Sequence, residues 1–245
     1  MNAGKTGPVC KSCGEELPSK ARFCPSCGVR LAEHHALSQE FAGEHRQITV
    51  MFCDLVGSTE LAAQLHPEDL RVLLREYQLI CAEAIERYDG MISHYLGDGV
   101  IANFGYPRAR EDAAIRGVDA ALQITSRLEA LEKTYLEGKT VAPAARISLH
   151  TGRVLVGEMG RGDTREQHAL TGIVPNIAAR LEQHAPRNGV VVSPQTRSLV
   201  GGSFQLRSLG VKSLKGVPDP LEVFEVAGRV NATSVLRPRE DAPIG

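Results

Sequence analysis

Two aspartates, Asp54 and Asp98, stand at the ends of apolar segments, where a carboxylate can take part in chemistry. Asp54 closes the β-branched stretch "ITVMFC", and Gly57-Ser58-Thr59 follows and opens a helix. Asp98 lies between two glycines in "HYLGDGVIANFG". Its Asp-Gly step is also a strong signal for a hairpin turn. The two interpretations are compatible, because a hairpin tip is a rigid place to hold a metal-binding carboxylate.

The residues after Asp54 are candidates for binding phosphate, and a polar pair further along the chain shares one face of a predicted helix. The residues from Val56 to Thr59 place backbone N–H groups at a helix N-terminus, which suits a phosphate. Taken alone, Ser58 or Thr59 is equally well explained as an N-cap. Asn176 and Arg180 stand four apart on the predicted helix "VPNIAARLEQHA" and therefore share a face. The alternative for this pair is a solvated polar face.

Four of the six cysteines form two C-x-x-C-G knuckles, Cys10 with Cys13 and Cys24 with Cys27. This spacing predicts a structural zinc ribbon, because the tight turns aim four thiolates at one tetrahedral Zn²⁺. A redox dithiol is the alternative. With four protein ligands the zinc has no open position, so we expect contact or regulation rather than catalysis. Cys53 and Cys81 lie in apolar segments and are predicted to be buried thiols rather than a disulfide.

The composition indicates a folded protein without a membrane span. The chain has 245 residues, 42% of them hydrophobic, enough for one substantial domain and a small module. The formal net charge of −1 gives no reason to expect a nucleic acid or an anionic membrane as partner. No stretch approaches the roughly 18 to 20 apolar residues that cross a bilayer, and the N-terminus lacks the apolar core of a signal peptide. We therefore expect a soluble, cytoplasmic protein.

Alternating strands and helices must position these residues. An amphipathic helix is predicted from Pro67 to about Gly90, the strands "MISHYL" and "VIANFG" flank Asp98, and a second helix runs from about Glu111 to Lys133. Then come a strand "ARISLHTG", an excursion "RVLVGEMGRGDTREQHALTG", the helix of Asn176, a strand "GVVVSP", a short helix near "QTRSLV" and strands around "FQLRSL" and "LEVFEV". The hairpin argues against a purely parallel sheet. We predict a ferredoxin-like βαββαβ sandwich of the α+β class.

Five motifs in order carry a family resemblance: "VMFCDLVGST", "YLGDGVIANFG", "RISLHTGRVLVGEMG", "TGIVPNIAARL" and "SLKGVPDPLEVFEV". At these intervals they resemble the catalytic domain of class III adenylate and guanylate cyclases. The whole chain is similar to the bacterial subgroup in which a zinc ribbon precedes that domain. We accordingly predict a zinc ribbon over residues 1–33, a linker over 34–44, a cyclase domain over 45–228, and a disordered tail or truncated linker over 229–245. His34 and His35 are interpreted as solvated linker residues rather than extra zinc ligands.

The resemblance implies a role for each candidate residue. Asp54 and Asp98 would bind two Mg²⁺ or Mn²⁺ ions, one for the attacking ribose 3′-oxygen and one for the leaving pyrophosphate. Asn176 would orient the ribose, and Arg180 would stabilise charge at the α-phosphate. The phosphate contacts would come from the backbone of Val56, Gly57, Ser58 and Thr59, with Lys215 of "LKGV" as a weaker candidate.

The resemblance also implies a head-to-tail homodimer. The family supplies the two aspartates from one subunit and Asn176 and Arg180 from the other, so a monomer would be inactive. The 154–172 excursion is a plausible arm onto the partner. Members of the subgroup often continue into a large ATPase and helical-repeat region. The sequence stops at Gly245, so such a region would be absent or cut away.

Two positions depart from the pattern of adenine-selecting cyclases. Those enzymes carry lysine where this chain has His94, and aspartate or threonine where it has Ala169. Neither residue is the glutamate-type choice expected for GTP. His94 can still donate to or accept from a purine edge, but Ala169 offers no hydrogen bond. Weak activity or relaxed purine specificity follows as a possibility.

Three functional hypotheses result. The first is an adenylate cyclase acting on ATP in preference to GTP, with the ribbon as a regulatory or docking module for a protein partner. The second is a nucleotide-binding sensor that dimerises on ATP without turning it over; His94 and Ala169 are its main support. The third, a nucleic-acid binder, has little support, because only 4% of residues are aromatic and the sequence has no run of basic residues with aromatic residues between them.

Overall fold

The structure is a computed structural model that describes residues 9–10, 12–18, 21, 23–29, 43–131, 133–134, 140–159 and 166–230. The chain divides into two compact units. One comprises Met1–Gly43 with Gly157–Gln167, and the other comprises Glu44–Val156 with His168–Gly245. The predicted linker histidines, the tip of the predicted arm at 160–165 and the predicted tail beyond 230 lie outside the described residues.

The first half of the larger unit forms the predicted hairpin and its two covering helices. Its elements are β1 (Glu44–Leu55), α1 (Ser58–Gln64), α2 (Pro67–Arg87), β2 (Met91–Leu96), β3 (Gly99–Phe104) and α3 (Ala113–Glu129). Proline occupies the first turn of α2 and acidic residues follow it, as expected for a helix start. Helix α3 is shorter than predicted, because Lys133 lies in a short strand, β4 (Lys133–Thr134), rather than in the helix.

The second half adds five strands to the same sheet, while its first, short strand pairs with Lys133–Thr134 in a separate two-stranded sheet. Its elements are β5 (Thr140–Val141), β6 (Ala145–Met159), β7 (Glu166–Thr171), α4 (Ile173–Glu182), β8 (Gly189–Val192), α5 (Pro194–Val200), a 3₁₀ turn (Gly201–Ser203), β9 (Phe204–Lys212) and β10 (Leu221–Arg229). The predicted excursion after Gly152 is largely strand in the described residues. Val154 and Val156 are buried, so β6 keeps its alternation beyond the glycine.

The sheet confirms the ferredoxin-like prediction. Its strand order is β2-β3-β1-β6-β8-β10-β9, with β7 also paired to β6. The first four strands in this order, β2-β3-β1-β6, come from one βαββαβ unit, and the rest extend it beyond β6. Strand β1 is antiparallel to β3 and β6, whereas β8 is parallel to β6.

The two faces of the sheet carry different helices. On one face, residues such as Met51, Leu55 and Leu149 pack in the main core with residues of α2 and α3. On the other face, Ile48 and Val50 pack against Val174 and Ala178 of α4. Alternation along β1 therefore places Asp54 on the α4 face, in line with Val50 and Phe52. In the part of the chain that the structure describes, no helix is long and apolar enough to cross a membrane.

Candidate active site

Asp54 lies near the end of β1, between two neighbouring strands. Its Cα partners are Gly99 of β3 on one side and Arg146 of β6 on the other. The apolar residues before it form the buried strand, and its own side chain is half-buried. A carboxylate is thus held at a sheet end, with a cationic neighbour directly across the ladder.

Asp98 occupies the turn between β2 and β3, where the hairpin was predicted. Gly97 has a φ of 65°, in the left-handed region that glycine tolerates. A Cβ at Gly99 would lie 3.5 Å from Oδ1 of Asp54, so the hairpin passes close to that carboxylate.

The structure brings Asp54 and Asp98 together. The pKa of Asp54 is raised to about 6, first by burial and then by the charge and the hydrogen bond of Asp98. Arg146 acts in the opposite direction and lowers the pKa of Asp54. Two carboxylates that repel each other in a half-buried place fit a divalent cation, which would relieve the repulsion, and hard oxygen ligands suit Mg²⁺ or Mn²⁺.

A cavity of about 460 Å³ opens beside Asp54. It is lined by the predicted phosphate loop and by three charged residues that the sequence analysis did not single out, Glu60, Arg146 and Glu182. The N–H of Val56 already donates to the carbonyl of Ala144 at 2.8 Å. A phosphate in this cavity would therefore be received by N–H groups from Gly57 onward, not by that of Val56.

Arg146 and Glu182 were missed because no local pattern distinguishes them. Arg146 follows two alanines at the start of β6, and Glu182 is one of many acids near a helix end. Only the register of β1 with β6, which pairs Asp54 with Arg146, reveals the first. The position of Glu182 at the cavity follows only from the packing of α4 against the sheet. The pKa of Glu182 is raised to about 6, mainly by burial and then by the charge of Asp54.

Asn176 and Arg180 lie on the exposed side of α4, as predicted, but not at this cavity. Successive residues of a helix are about 100° apart, so Arg180 points roughly 200° away from Glu182, which does line the cavity. Val174, Ile177 and Ala178 occupy the buried side. Within one chain the structure therefore separates this pair from the two aspartates.

The remaining predicted residues are also placed away from the cavity. His94 is exposed on β2, Ala169 is buried on β7, and Lys215 is exposed between β9 and β10. None of these three lines the cavity beside Asp54. Next to Ala169, His168 forms a hydrogen bond of 2.9 Å between its Nδ1 and the hydroxyl of Tyr106, a contact between distant residues that no motif predicts.

The smaller unit holds the four predicted cysteine ligands in one cluster. The Sγ atoms of Cys10, Cys13, Cys24 and Cys27 all lie within 4.8 Å of one another. Hydrogen bonding from the backbone N–H of Cys27 is the largest cause that lowers the pKa of Cys24, to about 7. Four thiols at this spacing fit a tetrahedral zinc ion.

Comparison with known families agrees with this geometry. The model of the adenylate and guanylate cyclase catalytic domain matches residues 41–228, and that of a zinc-ribbon domain matches residues 9–30. The chain is 29% identical to adenylate cyclase 1 of Rhizobium meliloti (strain 1021) over 195 residues, which cover 79% of this chain and 29% of the relative. It is 27% identical to the adenylate cyclase of Anabaena cylindrica over 221 residues, which cover 86% of this chain and 43% of the relative. The chain thus spans less than half the length of these curated relatives.

Solved structures of both purine types share the fold. The adenylyl cyclase CyaB from P. aeruginosa has a TM-score of 0.70 and 27% identity, over 82% of this chain and 99% of that one. The guanylyl cyclase Cya2 has a TM-score of 0.70 and 28% identity, over 78% of this chain and 96% of that one. Similarity at this level leaves the purine open.

Proposed function

Because this chain belongs to the adenylate and guanylate cyclase catalytic domain family, we propose that it converts ATP to 3′,5′-cyclic AMP and pyrophosphate at sites completed across a homodimer. The observation that carries the proposal is the convergence of Asp54 and Asp98 beside a cavity that also holds Arg146 and the start of α1. Carboxylates for cations, and a guanidinium with backbone N–H groups for phosphates, are what a nucleoside triphosphate requires.

The reaction needs a proton removed from the ribose 3′-hydroxyl, a bond formed from that oxygen to the α-phosphorus, and the bond to the β-phosphate broken. Divalent ions held by Asp54 and Asp98 would supply charge stabilisation for the attacking and leaving oxygens. The loop from Gly57 to Thr59 would hold the β- and γ-phosphates, with the Arg146 guanidinium beside them in the same cavity. These groups bind and orient the triphosphate.

Asn176 and Arg180 would complete the site from a second subunit. They are exposed on α4 and face away from their own chain's cavity. In a two-fold dimer each subunit would offer its aspartates to one site and its Asn176 and Arg180 to the other. The asparagine would orient the ribose, and the arginine would stabilise negative charge that develops at the α-phosphate.

A nucleotide-binding sensor is the second candidate, and one observation favours it. Ala169 is buried and cannot hydrogen-bond to a purine, while His94 is exposed on a different strand. If base recognition is weak, the protein would bind nucleotide and dimerise without efficient turnover. Product formation separates this candidate from the cyclase.

The test is cyclic nucleotide production by the purified chain with Mn²⁺ and either ATP or GTP, across a series of protein concentrations. We expect cyclic AMP, a specific activity that rises as dimer forms, and no product from Asp54→Ala or Arg180→Ala. Mixing these two inactive variants in equal amounts should restore about one quarter of the wild-type activity, because half of the dimers are mixed and each has one intact site. No product from either nucleotide, despite Mn²⁺–ATP binding, would favour the sensor.

A further inference from the structure

Glu182 and Arg146 both line the cavity beside Asp54. The hydroxyl of Ser148 on β6 donates to the carbonyl of Ala178 on α4 at 2.6 Å, which fixes the register of helix and strand. Arg146 is two residues before Ser148 and shares its face of the sheet. Glu182 is one helical turn after Ala178 and shares its side of the helix. The two charged side chains are therefore brought to the same place by the two elements, and both line the cavity.

Two carboxylates, those of Asp54 and Glu182, can attract the Arg146 guanidinium. Asp54 is its cross-strand partner on β1, and Glu182 of α4 lines the same cavity. Its own Nε is buried and has no hydrogen-bond partner among the described residues. A guanidinium drawn fully onto Asp54 would occupy the oxygens that a cation needs. The position of this one side chain thus bears on whether Asp54 can bind metal.

Electrostatics support a shared influence of the three groups. The Arg146 guanidinium lowers the pKa of both Asp54 and Glu182, against the effect of burial, which is the largest cause for each and raises it. Asp54 also raises the pKa of Glu182. The three charges are therefore close enough to act on one another.

We propose that Glu182 is a positioning residue for Arg146, which it holds toward α4 so that Asp54 stays available to a divalent cation and the guanidinium stays beside the phosphate loop. The proposal rests on the cyclase function proposed above, since it assigns a role within that site. Glu182 belongs to the same helix as Asn176 and Arg180 but acts on its own chain's cavity.

The test compares Glu182→Gln with Glu182→Asp and with Glu129→Gln, an exposed and charge-matched control on α3. We expect Glu182→Gln to weaken Mn²⁺–ATP binding by about tenfold and to raise KM more than it lowers kcat, because the charge that attracts Arg146 toward α4 in a half-buried site is lost. Glu182→Asp should recover part of the affinity, and Glu129→Gln should bind as the wild type does. In an Arg146→Gln background, Glu182→Gln should add no further loss.

A second readout does not depend on turnover. In the nucleotide-free full chain, the ¹⁵Nε–Hε signal of Arg146 should shift or exchange faster in Glu182→Gln and stay unchanged in Glu129→Gln. An unchanged signal with unchanged Mn²⁺–ATP binding would overturn the proposal, as would a full additional loss in the Arg146→Gln background. A shifted signal in a protein that makes no cyclic nucleotide would support the role of Glu182 and count against the cyclase function instead.

Discussion

The hydroxyl of Tyr77 on α2 donates a hydrogen bond of 3.1 Å to Sγ of Cys53, the residue immediately before Asp54. Tyr77 is 0% exposed and Cys53 is 1% exposed. Sγ of Cys81 lies 3.9 Å from Sγ of Cys53, and both cysteines are buried free thiols, as predicted. A polar contact inside the core thus joins α2 to the end of β1 that carries Asp54.

Tyr77→Phe should lower the free energy of unfolding by about 1 kcal/mol, because it removes one buried hydrogen bond and little volume. Cyclase activity under folded conditions should change little, since the ring still packs against the strand. Urea unfolding of the variant beside Tyr95→Phe, whose side chain is exposed, measures the difference. Equal stability of the two variants would show that the contact with Cys53 contributes nothing.

Gly152→Ala should displace α4, because a Cβ at this position on β6 would lie only 2.6 Å from Cγ2 of Val174. Overpacking of this kind costs about 1 to 3 kcal/mol. Since α4 also carries Asn176 and Arg180, activity should fall along with stability.

The paired variant Gly152→Ala with Val174→Ala makes this prediction specific. It removes the clashing methyl groups and should recover activity beyond Gly152→Ala alone, although Val174→Ala by itself costs stability through the lost packing. Thermal unfolding and cyclic nucleotide assays on all three variants give the comparison. No recovery in the pair would mean that the glycine is needed for a reason other than the approach of α4.

His150 should make the fold less stable at acid pH. Burial lowers its pKa to about 4, and its Nδ1 lies 2.7 Å from Oγ of Ser193. The unfolded chain, with a pKa near its ordinary value of 6.5, binds the proton first as the pH falls. Stability from this residue is therefore complete above pH 6.5 and is lost as the pH falls to about 4, by about 3 kcal/mol in all.

Urea unfolding at pH 7 and pH 4 checks this prediction against His150→Gln, which cannot be protonated but keeps an amide for Ser193. Other groups titrate in the same range in both proteins, so the difference between the two pH dependences isolates His150. The wild type should lose more stability than the variant. Parallel pH profiles would contradict the assignment.

The βαββαβ order and the hairpin at Asp98 are predicted from local signals, whereas the meeting of Asp54 with Asp98 is predicted from the resemblance to the cyclase family. The Asp-Gly turn and the alternating strands on either side fix the hairpin, and the strand before Asp54 must be buried. The continuation of β6 through Gly152 was not predicted, because a glycine followed by charged residues resembles a loop. There the glycine instead permits the close approach of Val174.

Arg146 and Glu182 show the limit of such inference. Their proximity to Asp54 depends on the pairing of β1 with β6 and on the seating of α4 through the Ser148–Ala178 hydrogen bond. These are contacts between residues distant in sequence, and no spacing rule encodes them. The hydrogen bond from the N–H of Val56 to the carbonyl of Ala144 is a similar case, because α2 and α3 lie between these two residues in the sequence.

Removing one cysteine of the N-terminal cluster should abolish zinc binding. The purified chain should contain a single zinc ion, and Cys24→Ser should contain none, since a tetrahedral site that loses one of four thiolates binds far more weakly. Cys81→Ala is the matched control, because Cys81 is buried in the other unit's core. Metal analysis by mass spectrometry decides the question, and zinc retained by Cys24→Ser would mean that the cluster does not bind it.

Purine selection should respond to His94 and Ala169. The resemblance to the cyclase family implies lysine at 94 and a hydrogen-bonding residue at 169 for adenine, and a purine site that hydrogen-bonds its base discriminates far better than one that only packs against it. His94→Lys with Ala169→Asp should therefore raise the ratio of kcat/KM for ATP over GTP by about tenfold or more.

Because Ala169 is buried, aspartate there also costs stability, so Ala169→Thr with His94→Lys serves as the milder variant. Competition assays with both nucleotides and Mn²⁺ measure the ratio. If it stays at the wild-type value in folded variants of both designs, these two positions do not contact the base, and purine selection lies elsewhere in the dimer.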